Sequence, residues 1–261
     1  MTFSLLTYNV LFNKAFSQLG KILSKYKPDF LCFQEVDTNE DNLNRLEKYG
    51  YKLADYSNSL IKFGKVYGIA TYFNPKKIKL IDTNYVNLPK SLLEMISAAL
   101  KVLKGGSKPR TILRTDFLLA GKSKTVTIYN VHLTLIGINR TRNKQLEIVL
   151  NHGLNKNRFP TIITGDFNYF PYSRKKLENL MSSYGYKEAT KGINYTFKIS
   201  DSKFAKYNFF QRLGSILVKK YYNQNLKPDY TFYKKIKLLK TERIDEEFSD
   251  HYPIISTFKS D

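Results

Sequence analysis

Residues 160–170 read PTIITGDFNYF, with Thr161, Ile162, Ile163 and Thr164 of strand type, Gly165 ending the run, and Asp166 and Asn168 two positions apart. A buried strand that stops at a glycine and leaves an acid and an amide at its C-terminal mouth is a common way for an α/β sheet to present chemistry. Gly-Asp-x-Asn is equally a turn sequence. The segment by itself leaves both readings open.

Working outward, Arg140–Asn151 is an amphipathic helix (Leu146, Val149, Leu150) that feeds this strand. Before it, Arg110–Leu119 and Lys124–His132 are strands joined by a hairpin around Ala120-Gly121-Lys122. Nearer the start, Ser4–Val10 alternates as a strand, and Asn13–Tyr26 has helical apolar spacing closed by Lys27-Pro28. Asp29–Val36 is an all-apolar run that ends in Gln34 and Glu35, as in a buried strand. Asn39–Tyr49 reads as a charged helix, Tyr67–Phe73 and Lys77–Ile81 as strands, and Ser91–Leu103 as a helix with Ser91 as N-cap and Glu94 at the capping-box position. After the opening stretch come a helix over Ser173–Ser183 capped by Ser173, a brief strand at Asn194–Lys198 and a basic amphipathic helix over Phe204–Tyr222. Asp229–Tyr233, Lys235–Lys240 and Tyr252–Phe258 are strands. This order predicts an α/β (α+β) fold: two mixed β-sheets packed face to face with helices on the outside.

With 261 residues, no Pro/Gly/Ser-rich linker and no internal repeat, one domain over residues 1–261 is expected. The one cysteine, Cys32, excludes an internal disulfide, fits a reducing, cytoplasmic setting, and lies in an apolar run as a buried thiol. No leader is visible, and the apolar stretch Leu88–Leu103 carries Lys90, Glu94 and Lys101, so it is not a membrane span. The net charge is +21 and uneven. Residues 1–60 balance, residues 191–240 hold twelve Lys/Arg against two Asp/Glu, and residues 241–261 hold two against six. A Lys-, Asn-, Tyr- and Phe-rich composition without Trp is also what nucleotide bias in a source genome would give; the unevenness points instead to a polyanionic partner, nucleic acid or an acidic phospholipid surface.

Several strands end in a polar group able to serve one site: Asn9, Glu35, Asn130 with His132, Asp166 with Asn168, Asp229, and Asp250 with His251. Each alone has an ordinary explanation as a solvated strand end, a hydrogen-bonded core histidine or a turn. Carboxylates and amides without a cysteine cluster favour a hard cation such as Mg²⁺ over structural zinc. The chain has no GxxxxGK[ST] or GxGxxG loop.

The segments TYNV, FQEV, NVHLT, GDFN, PDYTFY and SDHYPI, spread over residues 7–254, resemble in order the blocks of the endonuclease/exonuclease/phosphatase superfamily, the pancreatic-deoxyribonuclease-like phosphohydrolases. The resemblance implies a four-layered α/β sandwich and hydrolysis of a phosphoester with a divalent metal, Mg²⁺ or alternatively Mn²⁺. By position it makes Glu35 the metal-binding carboxylate, with Asn9 and Asp250 shaping the metal shell. Asp166 positions or deprotonates water, Asn168 holds that water or a phosphate oxygen, and His132 and His251 bind the transition state, with Asp229 orienting His251. Asn130 and Arg142, the latter in an Arg-x-x-Gln with Gln145, are expected on the substrate side. His152 matches no block and reads as a helix-end residue.

The family covers many phosphoesters, so the fold does not name one. Asn130-Val131-His132-Leu133 departs from the abasic-site endonucleases, and Phe167 departs from the Gly-Asp-Thr-Asn of tyrosyl-DNA phosphodiesterases. Lysines interleaved with aromatic residues over 191–240 favour a nuclease acting on nucleic acid. The alternative is a phospholipid phosphodiesterase of sphingomyelinase type or a phosphoinositide phosphatase, with residues 88–103 docking on lipid; a third reading is a catalytically silent binding module. No protein partner and a monomer are expected.

Overall fold

The computed structural model describes residues 1–62, 64–89, 111–121, 125–135, 137–154, 159–198 and 225–260. Its strands form two six-stranded sheets and one small pair. The first sheet runs in the order β13 (Lys237–Arg243), β14 (Ile254–Lys259), β1 (Thr2–Asn9), β2 (Phe30–Asp37), β4 (Lys65–Phe73), β3 (Lys52–Lys62). The second runs β5 (Ile78–Asn87), β6 (Thr111–Leu119), β7 (Thr125–His132), β8 (Thr161–Asp166), β12 (Asp229–Lys234), β9 (Lys187–Glu188). The short strands β10 (Phe197–Lys198) and β11 (Asn225–Leu226) pair with each other. β1–β2 and β7–β8 are parallel and the remaining neighbours antiparallel, so both sheets are mixed.

Strand side chains alternate between two faces, and here both faces are covered. Phe3, Leu5, Phe30 and Cys32 of the first sheet pack on Phe117, Leu119, Val126, Ile128 and Ile162 of the second. On the outer side of the first sheet, Leu6, Tyr8, Leu31 and Phe33 meet Leu19, Ile22 and Leu23 of α1 (Leu19–Tyr26) and Leu43 of α2 (Glu40–Asn44). On the outer side of the second, Tyr129, Val131 and Ile163 meet Leu146, Val149 and Leu150 of α3 (Asn139–Leu154) and Leu177 and Met181 of α4 (Arg174–Ser183). The result is helix, sheet, sheet, helix: the expected four-layered α/β sandwich. Cys32 lies in the inter-sheet core, and burial pushes its thiol well above the ordinary range.

Several boundaries differ from the sequence reading. β3 is a strand that the sequence pattern does not mark: KLADYSNSLIK lacks apolar alternation, as suits an edge strand paired on one side only. The helix expected from Asn13 begins at Leu19, after a one-turn 3₁₀ segment at Phe16–Gln18, because Leu11, Phe12 and Asn13 all have positive φ. The charged helix over Asn39–Tyr49 splits into α2, capped by Asn39, and a 3₁₀ turn at Glu47–Tyr49. Ser173 stands at the α4 N-cap but makes no side-chain cap bond, since the helix is entered through a 3₁₀ turn at Pro171–Ser173. The helices read at 91–103 and 204–222, and the lysine of the 120–122 hairpin, lie outside the described residues. No described helix is long and apolar enough to cross a membrane.

Candidate active site

Along the face where the sheets meet, side chains turn from apolar to polar in steps of two residues. β1 offers Leu5, Thr7, Asn9; β7 offers Ile128, Asn130, His132; β8 offers Ile162, Thr164, Asp166. β12 runs the other way and enters this layer as Asp229, then Thr231. Register lines the ends up: His132 pairs with Asp166 across β7–β8, and Asp166 with Asp229 across β8–β12. The mouth of the sandwich therefore collects the strand-end polar groups.

One step inside the mouth, a buried polar layer ties the sheets together. Gln34 Nε2 donates to Asn130 Oδ1 (2.8 Å) and Thr7 Oγ1 (3.3 Å), and Asn130 Nδ2 donates to Ala70 O (3.0 Å) and Phe33 O (3.3 Å). Thr164 Oγ1 and Thr231 Oγ1 are 2.7 Å apart. Asn130 is fully buried with its amide occupied across the sheet interface. Expected on the substrate side, it sits instead as a strut between β7 and the first sheet, because period-two alternation puts it one layer below His132.

In the mouth, Asp166 is 1% exposed and both its oxygens are used. Oδ1 accepts from the Asn168 backbone N–H (2.8 Å), an Asx-type turn, while Oδ2 accepts from Asn9 Nδ2 (3.0 Å). Turn and strand-end acid, the two readings of Gly-Asp-x-Asn, thus coincide. Asn168 is left-handed (φ 50°), and its Nδ2 donates to Leu133 O (3.1 Å). Gly165 has φ 134°, and a Cβ there would stand 2.1 Å from Val131 O, so only glycine fits between β8 and β7 at the step before Asp166.

Glu35 reaches the same place through a β-bulge. The β2–β4 register slips between Gln34 and Val36, and Glu35 takes φ 59°. A bulge re-aims a side chain, and the loop after β1 secures this one. Asn13 N donates to Glu35 O (3.0 Å), and Phe12 N to Glu35 Oε2 (3.1 Å). Burial pushes the Glu35 carboxyl up to about 7; the His251 charge pulls it back, and Asp166 and Asp250 add to the rise.

The imidazoles close the ring. His132 Nε2 lies 3.6 Å from Asp166 Oδ2 and 3.9 Å from Glu35 Oε1. His251 Nε2 lies 4.0 Å from the same Asp166 oxygen, and Asp229 Oδ2 accepts from His251 Nδ1 at 2.9 Å. Burial opposes charging His251, but the carboxylates of Asp229, Asp166 and Asp250 outweigh it and hold the imidazole up to about 10. Asp250 itself accepts from Ser249 Oγ (3.2 Å). Asp166, Asp229 and His251 each offer a ligand atom within 4.8 Å of the others.

Arg142 is fully buried, donating to the carbonyls of Thr134 (3.0 Å), Leu135 (2.9 Å) and Gly137 (3.0 Å); it braces the loop after β7. Gln145 joins it, accepting from Thr134 N (3.2 Å). The Arg-x-x-Gln pair thus works as loop support, one remove from the expected substrate contact. His152 lies in α3 with Nδ1 3.1 Å from Tyr129 Oη.

The sequence reading missed two groups. Thr196, fully buried, gives its hydroxyl to Asp229 Oδ2 (2.6 Å) and accepts from Asp229 N (3.2 Å); nothing in NYTF signals this. Gln34 had a signal, an amide inside an apolar run. Of the basic segment, Lys227 and Lys234 are buried, and Lys227 Nζ is 2.6 Å from Glu188 Oε1. Tyr195 packs on Tyr252, and Phe197 edges against His251. Lys191, Lys198, Lys235, Lys237 and Lys240 are exposed.

Residues 6–251 match the model of the Endonuclease/Exonuclease/phosphatase family. Among curated protein sequences none matches the chain. Among solved structures, a functionally unknown conserved protein from Enterococcus faecalis V583 is similar at TM-score 0.73 and 19% identity, covering 99% of this chain and 100% of that one. The human Nocturnin catalytic domain with bound sulfate anion follows at 0.71 and 16%, covering 99% and 94%. D. rerio TDP2 complexed with single strand DNA product gives 0.65 and 13%, covering 99% of each. At these identities the structural likeness shows the fold.

Proposed function

The chain belongs to the Endonuclease/Exonuclease/phosphatase family, and on that premise we propose that it is a divalent-metal-dependent phosphodiesterase that cleaves nucleic acid. One observation carries the proposal. Glu35 Oε1, His132 Nε2, Asp166 Oδ2 and His251 Nε2, from four segments far apart in sequence, succeed one another at 3.6–4.0 Å in a single mouth. Packing alone gives no reason to gather a buried Asp166, a half-buried Glu35 and two buried imidazoles.

The donor set fits a hard cation. Carboxylate and amide oxygens predominate, the one thiol (Cys32) packs in the inter-sheet core, and the Glu35 carboxyl, raised by burial and neighbouring carboxylates, is a group whose ionisation a cation would favour. Glu35 would hold it, with Asn9 and Asp250 completing the shell. Bound there, Mg²⁺, or Mn²⁺ in its stead, supplies charge neutralisation for a phosphoryl oxygen.

The chain's own residues do the rest. Asp166, steadied by Asn9 at one oxygen and by the Asn168 N–H at the other, takes the proton of the attacking water. Asn168 holds that water or a phosphoryl oxygen. The water oxygen bonds to phosphorus as the ester P–O bond breaks, and the leaving oxygen departs with the bonding pair and takes a proton from solvent. His251, kept protonated by Asp229, donates from Nε2 to the charge that develops on phosphate, and His132 does so from the neighbouring strand. Asn130 and Arg142 act by holding the sheets and the β7–α3 loop in position.

Nucleic acid is favoured by the net charge of +21 and by the exposed Lys198, whose backbone N–H donates to Asp250 O (2.9 Å) at the mouth. The reading treats the chain as one catalytic domain working as a monomer in the cytoplasm. Purified protein is assayed with plasmid and oligonucleotides, and with phospholipid and inositol phosphate substrates, each with Mg²⁺ and with EDTA. Nucleic acid cleavage that EDTA abolishes and Glu35→Ala lowers by about a thousandfold or more is expected. Lipid turnover without nucleic acid cleavage overturns the substrate, and full activity of Glu35→Ala overturns the mechanism.

A further inference from the structure

Beyond Asn168 the chain builds an aromatic column. The Arg142 guanidinium lies 4.6 Å from the Phe170 ring centroid, and the Phe170 and Tyr172 rings stack with centroids 6.1 Å apart and planes 16° from parallel. Phe170 is clasped at both backbone groups by one buried side chain: its N–H donates to Asn139 Oδ1 (3.0 Å), and its carbonyl accepts from Asn139 Nδ2 (2.9 Å). Arg142 is fixed in turn by the loop carbonyls. The column ends in Tyr172, a residue 63% exposed; Leu135 (61%) and Ile138 (58%), of the loop that Arg142 braces, are exposed as well.

Tyr172 follows Asn168 by four residues, so the Cα atoms are at most ~14 Å apart. That keeps an exposed ring on the same short segment as Asn168, the residue proposed to hold the water or a phosphoryl oxygen, at a span that a nucleotide adjoining the scissile bond can bridge. We infer that Tyr172, held by Phe170 and Arg142, is a stacking shelf for an unpaired base flanking the phosphate that is cut. Parallel planes, rigid backing and a cation at the inner end suit a flat π-face. A membrane patch would need exposed apolar area but neither coplanarity nor backing. The inference rests on the nucleic acid reading of the mouth, which it deepens by giving the enzyme a preference for single-stranded or unstacked substrate.

The test compares an all-base single-stranded oligonucleotide with a matched set carrying one abasic spacer at each position around the cut, using wild type, Tyr172→Ala and Tyr172→Trp. Removing the flanking base is expected to lower wild-type kcat/KM by about tenfold, in the range of one stacked base. Tyr172→Ala should show the same loss on the intact oligonucleotide and no further loss with the spacer, while Tyr172→Trp restores the base dependence. An exposed ring leaves the melting temperature unchanged. If wild type cuts the oligonucleotide and Tyr172→Ala responds to every spacer as wild type does, the shelf is wrong and the nucleic acid reading stands. If wild type cuts no nucleic acid, both fall. Loss of binding to anionic phosphatidylserine vesicles in Tyr172→Ala, with oligonucleotide kinetics unchanged, would assign the patch to lipid and overturn the shelf.

Discussion

Replacing Thr196 by valine keeps the shape of a fully buried side chain and removes its hydroxyl. Two bonds go with it. Asp229 Oδ2 loses a donor at 2.6 Å, and Asp229 N loses its acceptor at 3.2 Å. A hydrogen bond to a charged group is worth about 1.5–3 kcal/mol, and a buried N–H left without a partner costs about 1–3 kcal/mol. The variant should therefore lose about 3–5 kcal/mol of stability, a fall in Tm on the order of 10 °C for a chain of this size. Asp229 also loses the group that aims it at His251 Nδ1, so kcat on oligonucleotide should fall by about tenfold with KM little changed. Thr196→Ser keeps the hydroxyl and gives up one methyl, about 1 kcal/mol, so it should retain most of the activity. Calorimetry and steady-state kinetics on the three proteins decide the matter. A valine variant melting within about 2 °C of wild type at full kcat would refute the claim that this hydroxyl positions Asp229.

Because burial and neighbouring carboxylates raise Glu35 to about 7, the metal-free protein should lose stability as pH rises from the ordinary carboxylate range through 7. Glu35→Gln in EDTA should thus melt higher than wild type at pH 8 and alike at pH 4.5, by at most about 3 kcal/mol; millimolar Mg²⁺ should raise the wild-type Tm and leave the variant unmoved. Asn130→Ala strips the inter-sheet strut and should cost about 2–4 kcal/mol in denaturant unfolding, with KM unchanged; a raised KM at unchanged stability would return Asn130 to the substrate. Gly165→Ala drives a Cβ against Val131 O at a left-handed φ, and should lower both Tm and kcat, by about 3 kcal/mol or more in stability. A variant that melts like wild type would show that β7 and β8 can part without cost.

Much of the architecture is legible in one dimension. Leu5, Phe30, Ile128 and Ile162 each open a run in which every second residue faces the partner sheet, and Leu6, Leu31, Tyr129 and Ile163 alternate with them toward the helices. Two-sided burial of that kind already implies four layers. Where apolar patterning is weak, as in the edge strand β3, or where backbone conformation overrides it, as at Leu11–Asn13, the boundaries drifted.

Read as a one-dimensional pattern, the chain already puts acids, amides and imidazoles at the ends of buried strands, since strand period and the polarity of each residue are local properties. It also sets Gly165 before the acid and carries a strong excess of positive charge. Packing in three dimensions settles which strand ends meet. His132, Asp166 and Asp229 share one line because two registers agree, Glu35 joins them through a bulge no pattern announces, and Thr196 supports Asp229 across 33 positions of chain. It likewise drew Asn130 inward by one layer and turned Arg142 toward its own loop. Register and cross-sheet hydrogen bonding join residues remote along the chain, so their outcome depends on how the whole sandwich packs.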